Sequence, residues 1–64
     1  MQAHEQRVAT ERDELQTKVR ALGIFLEGDI YENLAYEDRK LLSIQHSTMT
    51  AYCEVLNTRI GRFT

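Results

Sequence analysis

Leu42, His46, Met49, Cys53, Leu56, Ile60 and Phe63 follow one another at steps of four, three, four, three, four and three. An α-helix keeps residues spaced in this way on one side, whereas a strand would scatter them over both faces. Six of the seven are apolar or thiol, and the seventh is a histidine. A second stripe lies upstream at Val8, Leu15, Val19, Leu22 and Leu26, with Arg12 where the seam expects an apolar residue. No proline interrupts either stripe. The pattern predicts an all-α chain. Its expected form is an antiparallel two-helix hairpin, about 7–27 and 35–60, in one domain spanning 1–64 with residues 1–6 frayed.

The punctuation is read in the same way. Gly28 is expected to end the first helix in the left-handed conformation, and Gly61 the second, with Phe63 packing beyond it. Gly23 sits inside a helix, where it costs about 1 kcal/mol relative to alanine. It either marks a close approach or is simply tolerated. Asp29 and Glu32 have capping-box spacing, so a helical turn over Ile30 to Leu34 is expected, with Ile30, Tyr31 and Leu34 folded back over the end. Ser43, Ser47, Thr48 and Thr50 are weak helix formers, so the second helix depends on packing. A turn centred near Tyr31 sets Leu22 against Leu42, Val19 against His46, Leu15 against Met49, Arg12 against Tyr52 and Cys53, and Val8 against Leu56.

A chain of 64 residues hides only about 60% of the surface that its unfolded form exposes. With one cysteine it has no internal disulfide, and no Cys/His spacing fits zinc. Self-association is the remaining remedy, and Ile24, Phe25, Leu41, Ile44 and Val55 lie outside the shared seam. A homo-oligomer is expected, most simply a dimer forming a four-helix bundle. Net charge is −2. Neither half forms a basic stripe, which argues against duplex nucleic acid as a partner. There is no apolar run of membrane length and the N-terminus is polar and acidic, so neither a membrane partner nor a signal peptide is expected.

Few residues invite chemistry. His46 is either a ligand contact or a core-edge histidine with a local hydrogen bond. Arg12 either fixes the alignment of the helices or holds an anion. Gln45, Tyr52 and Arg59 recur at seven-residue intervals, and with His46 and Arg12 they compose a polar strip. Such a strip serves either as the rim of a subunit interface or as a seat for a phosphate-bearing molecule, arginine on the phosphate and tyrosine on a base. Phe25, Tyr31, Tyr36 and Ile44 are candidates for contact with a partner. Glu37, Asp38 and Glu54 lack the Glu-x-x-His pairing of a bundle metal site. Cys53 has no cationic neighbour one turn away, and reads as a small core residue. No phosphate loop, nucleophile elbow or paired acids occur, so neither enzyme activity nor a cofactor or metal is expected.

The order RALGIFLEGDIYENLAYEDRKLLSIQHSTMTAYCEVLNTRI resembles very small accessory proteins of tailed phages and prophages. In these, a helix ending in an apolar-aromatic pair precedes a short loop, then Leu-x-x-Glu-x-x-Leu-Leu and Gln-x-x-x-Met-x-x-Tyr. The matching positions are Leu34, Glu37, Leu41, Leu42, Gln45, Met49 and Tyr52, with the leucine pair one residue out of regular spacing. The likeness covers about residues 12–60. It implies a phage accessory protein acting in a host bacterial cytoplasm, and proteins of this kind often counter host defence, some by assembling to sequester nucleotide signals. The expected function is a non-enzymatic protein that oligomerises and binds a host factor. The alternatives are sequestration of a nucleotide-type signal at a subunit interface, and a small structural or morphogenesis component.

Overall fold

A computed structural model describes residues 2–63. They form three helices: α1 (Ala3–Phe25), α2 (Asp29–Glu32) and α3 (Tyr36–Gly61). α1 begins at Ala3, before the expected start near residue 7, because the Gln2 N–H donates to Glu5 Oε1 at 2.9 Å and anchors the first turn. Of the stretch expected to fray, Met1 lies outside the described residues.

Both glycine stops behave differently from expectation. No glycine among the described residues has positive φ. Gly28, at φ −98° and ψ 170°, is the extended N-cap of α2. α1 instead closes through a tightened last turn, in which Glu27 N–H donates to the Ile24 carbonyl and Gly28 N–H to the Phe25 carbonyl, each at 3.1 Å. Gly61 is simply the last residue of α3, followed by Arg62 in right-handed helical geometry. Asp29 is the first residue of α2 and not its cap. Its carbonyl accepts from both the backbone N–H (3.1 Å) and the side-chain Nδ2 (2.8 Å) of Asn33.

α1 and α3 pack along one another. His46 of α3 lies beside Gly23 of α1, while Asn57 meets Arg12, so the helices run in opposite directions. All seven residues of the α3 stripe are buried or half-buried, as are Val8, Arg12, Leu15, Val19, Leu22 and Leu26 on the other side. The core is nevertheless thin. Among the described residues only Val8, Cys53 and Leu56 are buried, Leu56 completely. Fully hiding a leucine contributes roughly 1.5–3 kcal/mol, so one such residue goes only a short way against the chain's conformational entropy.

The shape states the same shortfall. The molecule measures 46 × 14 × 13 Å, one pair of helices wide, with a radius of gyration of 14.6 Å. A compact domain of this length has about 11 Å. Its accessible surface is 4944 Å², where a compact monomer of this mass exposes about 4,200 Å². Ile24, Ile30, Tyr36, Leu41, Ile44, Tyr52 and Val55 are all 45–69% exposed. Ile30, expected to plug the end of the pair, points outward at 69%, whereas Tyr31 and Leu34 are half-buried.

Candidate functional site

The polar residues expected to compose one strip are divided between two edges of the helix pair. Tyr52 and Asn57 lie five residues apart on α3, about 140° around the helix at 100° per residue. Cys53 and Leu56, the buried positions, lie between them. On one edge the Tyr52 hydroxyl donates to Glu11 Oε2. On the other, Arg12 Nη1 donates to Asn57 Oδ1 at 2.7 Å, and its Nε to Asp13 Oδ1 at 2.8 Å. Arg12 therefore does not face Tyr52 and Cys53. Its partner stands one helical turn further along α3.

His46 shows the same displacement of one turn. Its expected neighbour was Val19, but a Cβ added at Gly23 would stand 3.2 Å from the His46 Nε2. Gly23 thus marks a close approach, of an imidazole and not of a second backbone. His46 is half-buried, and its carbonyl accepts the Thr50 hydroxyl at 2.8 Å. Thr48 donates likewise to the Ile44 carbonyl at 2.9 Å. These hydroxyls, expected to compete with the helix, bond back onto its own carbonyls.

The hydrogen bond that the Tyr52 hydroxyl donates to Glu11 holds it above the usual phenol range, and desolvation and the charge of that carboxylate add to the effect. The Arg59 guanidinium opposes it. Gln45 is exposed, its Nε2 3.7 Å from Met49 Sδ. Arg59 and Arg62 are exposed and have no ion-pair partner among the described residues. They stand at one end of a shallow hollow on the outward side of α3, lined also by Ala51, Glu54, Val55 and Thr58. Arg62 and this hollow were missed, as were Glu11 and Asn57. An Asn57–Arg12 pair depends on the register between two helices, which no local spacing encodes. The hollow was visible in principle as a second run of three-four spacing on α3.

The residues expected to meet a partner also separate. Tyr36 and Ile44 are 64% and 52% exposed. Phe25 and Tyr31 are half-buried, and the Tyr31 hydroxyl donates to the Arg39 carbonyl at 3.3 Å. The Arg39 guanidinium carbon lies 6.0 Å from the centre of the Tyr36 ring, and its Nε is buried without a hydrogen-bond partner. Ile24, Ile30 and Tyr36, close to the turn in sequence, are each 64–69% exposed. No group of three or more metal-ligating side chains occurs among the described residues, and no described helix is long and apolar enough to cross a membrane.

The model of the Sequestin family matches residues 2–62. The chain belongs to the Sequestin family. A relative in Enterobacteria phage T4, an uncharacterized 7.5 kDa protein of the denB–rIIB intergenic region, is 36% identical over 63 residues, which cover 98% of each chain. The resemblance to small phage accessory proteins, read from the order of residues between positions 12 and 60, therefore holds over nearly the whole chain. No solved structure matches.

Proposed function

We propose that this chain is a non-catalytic phage accessory protein that self-associates and sequesters a small anionic molecule of nucleotide type, withdrawing a host signal. The family name supports sequestration, and the phage relative supports an accessory role acting on a host. The observation that carries the ligand class is the C-terminal end of α3. There the Arg59 guanidinium is exposed with no ion-pair partner among the described residues, and Tyr52 stands two helical turns back along the same helix. Arginine supplies planar donors for phosphate, and tyrosine a surface for a base. This edge of α3 is open, so enclosing a ligand along it requires a second wall, which self-association provides.

Within the five-residue strip the roles divide. Gln45, Tyr52 and Arg59 are the ligand-facing set. Arg12 and His46, occupied by Asn57 and by the approach to Gly23, hold the helices in alignment. Isothermal calorimetry with cyclic and linear adenine and guanine nucleotides tests this reading. Saturable binding that falls tenfold or more in Arg59→Ala supports it. No heat from any nucleotide at micromolar protein, or binding untouched by Arg59→Ala and Tyr52→Ala, overturns it.

A different observation favours a second reading, capture of a host protein. Ile24, Ile30 and Tyr36 present apolar surface at the turn end, away from the arginines. Ile30→Asp with Tyr36→Ser would abolish that capture and leave nucleotide binding intact.

A further inference from the structure

A second seam runs along the outward side of α3: Glu37, Leu41, Ile44, Thr48, Ala51, Val55, Thr58 and Arg62, at steps of four, three, four, three, four, three and four. It lies about 150° around the helix from the inner seam. All eight residues are exposed. Leu41, Ile44 and Val55 leave 63, 52 and 54% of their surface uncovered. Thr48 and Thr58 donate their hydroxyls to carbonyls of their own helix at 2.9 and 3.0 Å, so covering them would orphan no donor. The centre of the run, Thr48 and Ala51, is small enough for two helices to approach closely. Its ends are opposite in charge, with Glu37 and Asp38 at one and Arg59 and Arg62 at the other, and none of the four has an ion-pair partner among the described residues.

We propose that a second copy of this chain covers this seam, α3 against α3, antiparallel about a two-fold axis that passes between Thr48 and Ala51. The proposal rests on the self-association in the reading above and names its face and register. In an antiparallel seam the two core positions of the heptad meet each other across the interface. Ile44 then falls opposite Val55 of the second copy, Leu41 opposite Thr58, Thr48 opposite Ala51, and Glu37 opposite Arg62, each pair occurring twice. Asp38 comes beside Arg59 at the rim, where an exposed ion pair is worth little and yields to a phosphate. A parallel pair would set Glu37 on Glu37 and Arg62 on Arg62, so charge selects the antiparallel one. The same register brings Gln45 beside Tyr52 of the second copy. A strip that one chain leaves incomplete is thus built from two.

Charge reversal at the seam ends tests this, because those side chains are exposed and the fold does not depend on them. Sedimentation equilibrium compares the full-length chain with Glu37→Arg, Arg62→Glu and the double variant, with helicity followed by circular dichroism. Each single reversal is expected to weaken dimerisation tenfold or more, and the double variant to recover to within about threefold of the unchanged chain, since the pair is remade with its signs exchanged. Ile44→Glu is expected to be a helical monomer. Single reversals that associate as well as the unchanged chain, or a double variant no tighter than the singles, overturn the register. If the unchanged chain is itself a monomer, the self-association reading fails too. If it associates but ignores all three variants, only this face is wrong.

Discussion

The two sides of α3 carry the same three-four spacing and differ in what covers them. The inner seam, from Leu42 to Phe63, faces α1 of its own chain, and every member is buried or half-buried. The outer seam, from Glu37 to Arg62, has no cover within the chain. Periodicity fixes which residues share a face of a helix. It does not say whether the partner is the next segment of the chain or another molecule. Composition distinguishes the two sides better than spacing. The inner seam carries Leu42, Met49, Cys53, Leu56 and Ile60, and the outer one places small or hydroxyl residues, Thr48, Ala51 and Thr58, among Leu41, Ile44 and Val55, with charges at its ends.

The largest effect is expected at the inner seam. Leu56→Ala removes the one completely buried side chain among the described residues and should cost about 2–5 kcal/mol in chemical denaturation, enough to unfold a chain this small at low concentration. Leu41→Ala, a like change on the outer side, should cost under about 1 kcal/mol at high dilution. Its cost should grow with protein concentration as the outer seam becomes covered. Equal costs at all concentrations would erase the distinction between the faces.

The glycines give a smaller contrast. A Cβ at Gly61 meets nothing within 4 Å, so Gly61→Ala should stabilise α3 by about 0.5 kcal/mol. A Cβ at Gly23 stands 3.2 Å from the imidazole of His46, which must give way, so Gly23→Ala should gain less than the propensity difference of about 1 kcal/mol, or lose stability. Thermal melts of the two variants side by side decide it. Stabilisation by the full propensity difference at Gly23 would show that His46 does not bear on that position.

The smallest effect belongs to Tyr52. Its hydroxyl is held above the usual phenol range by the hydrogen bond to Glu11. A group whose folded pKa is raised contributes stability below its unfolded pKa, and loses that contribution as pH rises through the folded value. The Tyr52–Glu11 contact should therefore be intact at neutral pH and lost only above the ordinary tyrosine range near 10. Glu11→Gln should move the ultraviolet titration of Tyr52 to lower pH. A titration unchanged by that substitution would show that the contact is not maintained in solution.

Much of this was legible in the residues. Every member of the inner stripe is buried or half-buried, because burial follows helical phase; Arg39 and Thr50, half-buried beside it, were not read from the spacing. The relative placement of the helices was not legible. The helical turn of the connector was expected, but α1 and α3 meet one turn away from the expected pairing at His46 and Arg12. That displacement, together with 140° of rotation, divides Arg12 from Tyr52. Gly28 and Gly61 misled because both have uses at helix ends that require no left-handed backbone. Ile30 misled because an apolar residue in a short connector need not turn inward when the molecule offers further apolar surface nearby.

If the outer seam of α3 is an interface and not a solvent face, the chain associates in solution. Sedimentation equilibrium of the unchanged chain at micromolar concentration addresses it most directly. A mass at an even multiple of the 7.5 kDa chain is expected, falling to 7.5 kDa in Ile44→Glu with helicity retained. A helical species of 7.5 kDa for the unchanged chain would contradict it.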